Sequence, residues 1–195
     1  MDASAWDERY AAADLVWTAE PNQFLPGLVA DLSPGRALDV ACGEGRNAIW
    51  LATQGWDVTG VDFSPVAIEK ARRLSQTAGV SPKFVAADLS AWEPADSFDL
   101  IIEFYLHVPG ALRRRVHRSI GAALARGGIY VVVAHHTDNL AHGSGGPQEP
   151  AVLFSEDDVV ADFDELVEPV RAERVTRPTA SGLAIDLLFV GSNPA

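Results

Sequence analysis

The sequence predicts a doubly wound α/β fold, in which helices cover both faces of a mainly parallel sheet. Short apolar strands alternate with helical segments from residue 36 to residue 163, an order typical of parallel sheets. After Leu166 two strand-like runs flank the turn-rich segment 177–182, which predicts a closing antiparallel hairpin. With 195 residues, 48% of them hydrophobic, the chain is long enough for one such domain and short for two.

The helices are predicted from apolar periodicity and from their capping residues. The spacing of apolar residues indicates a first helix. Ser64 before Pro65 is an N-cap followed by a favoured first helical residue, which predicts the start of another helix. Ser155 has capping-box spacing and predicts the start of the last one. The predicted helices cover residues 24–32, 46–54, 65–78, 109–126 and 156–163. The predicted strands begin with a short one from residue 37 and continue at 57–62, 82–88, 98–104, 127–133, 167–175 and 184–190.

A glycine-rich loop between the first strand and the next helix is the most informative segment. Residues 37–47 carry almost no side-chain bulk after the strand, so backbone N–H groups can close on a ligand. The helix from Arg46 directs its positive N-terminal end at that space, which favours a carboxylate or phosphate. The loop therefore predicts a nucleotide-like ligand.

Acidic residues end the next two strands. Asp62 closes the second strand and Asp88 the third, and an acid in the first of these places can accept hydrogen bonds from ribose hydroxyls. Asp39 lies within the first strand and could accept hydrogen bonds from the glycine loop. These positions suit an adenosine ligand.

In this order, the motifs resemble those of the class I S-adenosylmethionine-dependent methyltransferases. Residues 38–45 are similar to the family's glycine-rich first motif, Asp62 to its ribose acid, and Asp88 with Leu89 to its adenine pair. Residues 98–104 and 127–133 are similar to its fourth and fifth motif strands. The resemblance covers nearly the whole chain and implies a Rossmann-like seven-stranded sheet, with S-adenosyl-L-methionine as cofactor and S-adenosyl-L-homocysteine as product.

The resemblance also implies a set of cofactor-binding residues. Arg46 and the loop backbone would hold the methionine end, and Phe63 would pack on the adenosine. The full set is Asp39, Ala41, Gly43, Gly45, Arg46, Asp62, Phe63, Asp88, Leu89, Glu103, Trp6, Tyr10 and Trp17. Where the family usually has glycine the chain has Ala41, which we expect to keep a negative φ because a Cβ disfavours the left-handed region.

The N-terminal aromatic residues are similar to the cap of the small tellurite-resistance-like and thiol-methylating branch. Trp6, Tyr10 and Trp17 could form a lid, where an aromatic face gains cation–π attraction to a sulfonium. The alternative is an N-terminal helix packed on the sheet by large residues.

A nicotinamide cofactor is the rival interpretation, since residues 43–48 also fit G-x-G-x-x-A. The positions of Asp39 and Asp88 favour the methyltransferase, and no Tyr is followed four residues later by Lys, as in one common dehydrogenase couple. A binding module that has lost catalysis is a further alternative, with Ala41 as its sequence hint.

Charge and cysteine content indicate the kind of partner. A formal net charge of −12 argues against nucleic acid and for a small-molecule substrate. The Arg113–Arg115 run with Arg118 is interpreted as the solvated face of an amphipathic helix, with an anion or RNA site as alternative. Cys42 is the single cysteine, and the acidic start lacks signal-peptide features. We expect a cytoplasmic monomer or homodimer that does not bind membranes.

The acceptor side of the site is predicted from residues after the fourth and fifth strands. His107 could act as a base, or be an ordinary loop histidine. The polar, glycine-rich segment 137–150 is either a lid or substrate wall or surface disorder; as a wall, it would make His135, His136 and Gln148 specificity residues. Glu103 and His135–His136 stand where metal-dependent relatives need paired Asp and Asn ligands, so no metal is predicted.

The sequence as a whole predicts a metal-independent methyltransferase for a small thiol, soft oxyanion or hydroxyl. The predicted single domain, 1–195, comprises a helical cap (1–35), a cofactor-binding core (36–163) and a C-terminal hairpin (164–195). Non-catalytic cofactor binding and, less favoured, a nicotinamide-dependent oxidoreductase remain as alternatives.

Overall fold

The structure is a computed structural model that describes residues 3–194. Met1 and Asp2, where the predicted acidic start begins, and Ala195 lie outside the described residues. The helices are α1 (Ala3–Ala12), α2 (Leu25–Val29), α3 (Arg46–Thr53), α4 (Pro65–Thr77), α5 (Gly110–Gly121), α6 (Asn139–His142) and α7 (Glu156–Phe163). The strands are β1 (Arg36–Val40), β2 (Asp57–Asp62), β3 (Lys83–Ala86), β4 (Phe98–Phe104), β5 (Leu124–His135), β6 (Glu168–Thr179) and β7 (Gly182–Ser192).

The seven strands follow the order β3-β2-β1-β4-β5-β7-β6. The pairs β1–β2, β2–β3 and β4–β5 are parallel, and β7 pairs antiparallel with both β5 and β6. The predicted fold, a mainly parallel seven-stranded sheet that ends in an antiparallel hairpin, is confirmed.

The chain divides into two compact units, Met1–Trp92 and Glu93–Ala195. In the first unit, Val40 pairs with Val61 and Asp62 with Ala86, so the three parallel strands end close to one another. The loops that follow β1, β2 and β3 therefore share one edge, where ligands of such sheets bind. Ser64 begins α4 as predicted, because its Oγ accepts a hydrogen bond from Ala67 N at 3.1 Å.

In the second unit, the capping box at Ser155 begins α7 as predicted, with reciprocal contacts between Ser155 and Asp158. The helix predicted to continue to Gly127 ends at Gly121 instead. Residues from Leu124 onward already belong to β5, and Gly127 adopts a φ of 73°. This double glycine accommodates an irregularity of the strand, where the register with β4 shifts, and does not terminate a helix.

The interior of the second unit holds a buried ionic network. His117 Nε2 lies 3.0 Å from Glu103 Oε1, and its Nδ1 lies 3.2 Å from Asp162 Oδ2. Tyr130 Oη donates to Glu103 Oε2 at 3.1 Å, and Arg113 Nε donates to Asp162 Oδ2 at 2.5 Å. Arg113 is only 4% exposed, so the solvated-face interpretation of the arginine run is wrong for this residue; the run's other members, Arg114, Arg115 and Arg118, are exposed.

The network sets the charge of its members. Burial opposes protonation of His117, but Glu103 and Asp162 outweigh it and raise the pKa of His117 to about 9. Burial would also raise the pKa of Asp162, yet hydrogen bonds from His117 and Arg113 lower it to about 2. His117 is therefore an imidazolium at neutral pH, held between two carboxylates.

This arrangement predicts a loss of stability at alkaline pH. Because the pKa of His117 rises from about 6.5 unfolded to about 9 folded, its contribution is fully present below pH ~6.5 and disappears as pH rises through ~9. The contribution is on the order of 3 kcal/mol. We expect the urea-unfolding free energy of the wild type to fall over this window, whereas His117→Gln starts lower and has a flatter profile.

His142→Gln is the matched control, because His142 is an exposed histidine of the same unit. It should keep the wild-type pH slope. A wild type with no alkaline decline, or a His117→Gln variant with the same decline, would contradict the assignment of charge to His117.

Candidate functional site

The loop after β1 holds three residues in left-handed conformations. Ala41, Gly43 and Gly45 have φ values of 55°, 54° and 80°. The expectation that Ala41 keeps a negative φ is therefore wrong. Backbone hydrogen bonds from Cys42 N to Val61 O (3.0 Å) and from Gly45 N to Cys42 O (2.9 Å) fix the path of the loop. They hold Ala41 in the left-handed conformation, which costs an alanine about 1 kcal/mol.

Two buried carboxylates accept hydrogen bonds from the backbone of the loop and of the helix that follows it. Asp62 accepts the N–H of Gly43 on Oδ2 and that of Ser64 on Oδ1, both at 2.9 Å. Asp39 Oδ2 accepts the N–H of Ala48 at 3.1 Å, within the first turn of α3. Burial raises the pKa of both groups, that of Asp39 to about 7, and the backbone N–H donors oppose the rise.

The first turn of α3 faces the loop without a side-chain cap. Gly45 occupies the N-cap position, and a Cβ there would lie 2.9 Å from Ala71 Cβ and from the Phe84 ring. Glycine is therefore needed at this position for packing as well as for its φ. Arg46 opens the helix, and its guanidinium lies 6.0 Å from the centre of the Trp17 ring.

The residues predicted for the adenosine follow β2 and β3. Phe63 and Leu89 are half-buried, and Asp88 is exposed. Asp88 Oδ1 accepts the N–H of Ser90 at 2.8 Å, which orients the carboxylate in the turn after β3. Cys42 is buried beside these loops, and burial raises the pKa of its thiol, as expected of a packing residue.

The N-terminal aromatic residues lie against the glycine loop. Tyr10 is 4% exposed, and a Cβ on Gly43 would lie 2.8 Å from its Oη. Trp6 stacks on Tyr10 with 5.5 Å between ring centres, and the Arg9 guanidinium lies 4.9 Å from Trp6 and 5.2 Å from Trp17. The structure thus brings the predicted lid residues and the predicted cofactor loop together.

A buried ion pair, which sequence analysis missed, ties the N-terminal segment to the loop. Glu44 is 3% exposed, and its Oε2 accepts the N–H of Val16 at 2.9 Å and that of Trp17 at 3.3 Å. Lys70 of α4 lies 3.1 Å from Glu44 Oε1 and donates to the carbonyls of Tyr10, Ala13 and Asp14. The presence of a charged residue, Glu44, inside a glycine-rich loop was the sequence feature that could have indicated this contact.

In the second unit, a polar cluster surrounds Asp186, which is fully buried. Tyr105 Oη and Arg177 Nε both donate to Asp186 Oδ2 at 2.8 Å. His135 Nδ1 lies 2.9 Å from Asp186 Oδ1, although the angle is outside the range of a hydrogen bond. The His107 and His135 rings stack with 5.2 Å between centres. Tyr105, Arg177 and Asp186 carried no recognisable sequence motif.

His107, the predicted base, lies in this cluster. Its Nε2 is buried and has no hydrogen-bond partner within residues 3–194. Burial and the neighbouring His135 lower the pKa of His107 to about 4. The imidazole is therefore neutral at physiological pH, and its surroundings resist the charge that a base acquires.

The adjacent histidines take different roles. His136 Nε2 lies 2.9 Å from Glu156 Oε2, and its Nδ1 accepts the N–H of Asp138 at 3.0 Å. Because both ring nitrogens of His136 are engaged, its prediction as a substrate residue is corrected to a structural role. Gln148 is exposed, and its amide lies 3.4 Å from Gly146 O.

The segment 137–150 is fixed by specific contacts. Asn139 accepts the N–H of Ile185 at 2.7 Å and donates to Gly145 O at 2.8 Å. Gly146, with a φ of 75°, packs so closely on His135 that a Cβ would lie 2.7 Å from the ring. These contacts favour a wall beside His135 over surface disorder.

Glu103, predicted to contact the cofactor, is placed in the buried ionic network instead. It is 0% exposed, and its two oxygens contact His117 and Tyr130. The alternation of β4 turns its side chain into the interior of the second unit. The cofactor prediction for Glu103 is therefore replaced by a structural assignment.

Over residues 3–194, no group of three or more His, Cys, Asp or Glu side chains is arranged to hold a metal ion. In the same part of the chain, every helix is too short or too polar to cross a membrane.

The sheet order and the loop define the class I methyltransferase architecture. A sequence profile described as "Methyltransferase domain" matches residues 37–128. Thiocyanate methyltransferase 1 of Brassica oleracea is 31% identical over 138 residues, which are 67% of this chain and 59% of that protein. The chain spans 47% and 59% of the length of the first two curated relatives it matches.

Solved structures show the same fold. TehB from Haemophilus influenzae is 15% identical, covers 96% of this chain and 66% of its own, and gives a TM-score of 0.76. The N-methyltransferase NodS from Bradyrhizobium japonicum WM9, in complex with S-adenosyl-L-homocysteine, is 20% identical over 100% of both chains with a TM-score of 0.75. The chain belongs to the class I S-adenosylmethionine-dependent methyltransferases, as its motifs predicted.

The strain at Ala41 predicts a stabilising substitution. Ala41→Gly removes the Cβ from a left-handed residue, and part of that gain is offset by the greater flexibility of the unfolded chain. We expect the unfolding free energy to rise by about 0.5–1 kcal/mol, measured by urea denaturation. Ala52→Gly in α3 is the control and should lower it by a similar amount; a destabilised Ala41→Gly variant would contradict the strain.

The Lys70–Glu44 pair predicts that one lysine controls the order of the N-terminal segment. Lys70→Met removes the donor to Glu44 and to the carbonyls at the end of α1. Amide hydrogen exchange at Val16 and Trp17 should accelerate by about tenfold or more, while β5 keeps its protection. Lys83→Met, at an exposed residue, is the control; equal exchange in both variants would contradict a tether through Lys70.

Proposed function

We propose that the chain transfers the methyl group of S-adenosyl-L-methionine to a small-molecule thiol, soft oxyanion or hydroxyl, without a metal. The observation that carries the proposal is the glycine loop, whose backbone is hydrogen-bonded to a buried carboxylate, Asp62, where the first parallel strands end. A Rossmann-like sheet with this loop accommodates an adenosine that bears a charged tail.

The residues of the first unit fit this cofactor. Asp62 accepts the N–H groups of Gly43, Ser64 and Phe63, which leaves its carboxylate one further acceptor position for a ribose hydroxyl. In the proposal, the uncapped first turn of α3 and Arg46 hold the methionine carboxylate, and Asp88 with Leu89 receives the adenine. Trp6, Tyr10 and Trp17 cover the loop and exclude water.

The cofactor supplies a sulfonium whose methyl carbon is electrophilic, so the protein has mainly to position and desolvate the partners. The cluster around Asp186 is proposed to bind the acceptor in the second unit. Two imidazoles and a phenol suit a small polar nucleophile. Asp186 and Arg177 offset each other's charge, so the cluster does not require an ionic substrate.

Two further observations support the substrate class. The relative from Brassica oleracea is named for thiocyanate, a small sulfur nucleophile. The net charge of −12 opposes the approach of polyanionic RNA or DNA. A small molecule, and no nucleic acid, is therefore the proposed partner.

The role of Asp62 is tested by calorimetry with S-adenosyl-L-homocysteine. Asp62→Asn removes the charge that strengthens hydrogen bonds to the ribose, so we expect binding to weaken by roughly 10- to 100-fold. Asp57→Asn, at the exposed start of the same strand, is the matched control and should bind like the wild type.

The same titration with NAD separates the rival cofactor. Binding of NAD and none of S-adenosyl-L-homocysteine would overturn the proposal. Binding of S-adenosyl-L-homocysteine together with a failure to methylate any thiol, oxyanion or hydroxyl would leave a cofactor-binding module and refute the enzyme.

A further inference from the structure

The cluster in the second unit is built around a carboxylate that orients a histidine. Asp186 is 0% exposed and accepts two hydrogen bonds on Oδ2, from Tyr105 and Arg177. Its Oδ1 has no hydrogen-bond partner in the described part of the chain and faces His135 Nδ1 at 2.9 Å. The two unpartnered atoms are each other's neighbours, and a small ring rotation would align them, as occurs when catalytic sites tighten around substrate.

This contact decides which nitrogen of His135 carries the proton. A proton on Nδ1 faces the carboxylate, so the free lone pair of the neutral ring lies on Nε2. Nε2 has no hydrogen-bond partner among residues 3–194. His135 with Asp186 therefore has the arrangement of a base whose imidazolium is stabilised from behind.

The two stacked histidines are unequal in this respect. In the described part of the chain, no carboxylate contacts a ring nitrogen of His107, and its buried Nε2 has no hydrogen-bond partner there. His135 is 8% exposed and has Asp186 beside it. Of the pair, His135 is the ring with a carboxylate behind it to stabilise an imidazolium, and His107 remains a neutral group that can contact the acceptor.

The backbone of Tyr105 also adopts a conformation that is rare for residues other than glycine. Tyr105 adopts a φ of 64° directly after β4, and its hydroxyl is fixed by Asp186 and by Arg177 at 2.9 Å. Strain of this kind persists where the surroundings determine it, and it is common at functional sites.

Within the proposed methyltransferase function, we infer that His135, positioned by Asp186, is the general base, and that the natural acceptor is a thiol or hydroxyl that arrives protonated. A preformed anion such as thiocyanate has no proton to lose, so a general base would not contribute to its methylation. The acceptor class would thus differ from the one for which the Brassica oleracea relative is named.

The step balances without a further reactant. The S–H or O–H bond of the acceptor breaks as its proton passes to Nε2 of His135, and the freed lone pair forms the new bond to the methyl carbon. The electron pair of the broken sulfonium–methyl bond stays on sulfur, which leaves a neutral thioether. The imidazolium then loses its proton to water.

The test compares acceptors that differ in how readily they ionise. Wild type and His135→Gln are assayed at pH 7 for formation of S-adenosyl-L-homocysteine with alkanethiols, with acidic arenethiols and with thiocyanate. We expect kcat/KM of the variant to fall by about 10²-fold or more for alkanethiols, which are mostly protonated. The loss should shrink to within a few fold for acceptors that are already anions.

Asp186→Asn tests the positioning residue and should show the same dependence on acceptor pKa with a smaller loss. Glu165→Gln, at an exposed residue of the same unit outside the 137–150 segment, is the control and should match the wild type with every acceptor. Binding of S-adenosyl-L-homocysteine to each variant shows that the cofactor site remains intact.

The outcomes separate this inference from the function on which it rests. An equal loss for all acceptors in His135→Gln would mean a structural role and would overturn the inference alone. Wild-type turnover of thiocyanate without turnover of any protonated acceptor would do the same. No turnover of any acceptor by wild type that binds S-adenosyl-L-homocysteine would overturn the proposed function as well.

Discussion

The hydrogen bond between Gly43 N and the Asp62 carboxylate is the contact on which the first unit's site depends. It joins the loop after β1 to the end of β2, so the two segments cannot move independently. Burial raises the pKa of Asp62, and the N–H groups of Ser64 and Gly43 oppose that rise. The same peptide groups therefore shape the loop and keep the carboxylate able to accept hydroxyl donors.

The second unit contains two separate groups of charged and polar side chains. In the interior, His117 lies between Glu103 and Asp162; its Nε2 is hydrogen-bonded to Glu103, and its Nδ1 lies 3.2 Å from Asp162 Oδ2 without an aligned hydrogen bond. Around Asp186 three buried atoms, His107 Nε2, His135 Nδ1 and Asp186 Oδ1, lack aligned hydrogen-bond partners within residues 3–194. A protein can retain unsatisfied polar atoms where a ligand completes them, and the concentration of such atoms around Asp186 favours this cluster as the candidate binding site.

The sequence predicted the sheet class and the cofactor loop because local signals specify them. Ser64 and Ser155 caps, and acids at the strand ends, act over a few residues and can be read directly. The side chains around Asp186 could not be found in this way, because Tyr105 and Asp186 are 81 residues apart and meet only through strand pairing. Glu103 and Arg113 were misassigned since their burial depends on that tertiary packing. Ala41 was misjudged because neighbouring backbone bonds override its intrinsic preference.

Gly146 limits which substitutions the segment beside His135 can accommodate. It presents backbone to the His135 ring, and any larger residue would collide with the imidazole. Its exposed neighbours from Gln148 to Pro150 carry no such restriction. The segment therefore contains glycine positions where a Cβ would collide, next to exposed positions where larger side chains have room. Substitutions that vary the surface beside His135 are therefore best placed at 148–150, where they leave the histidine undisturbed.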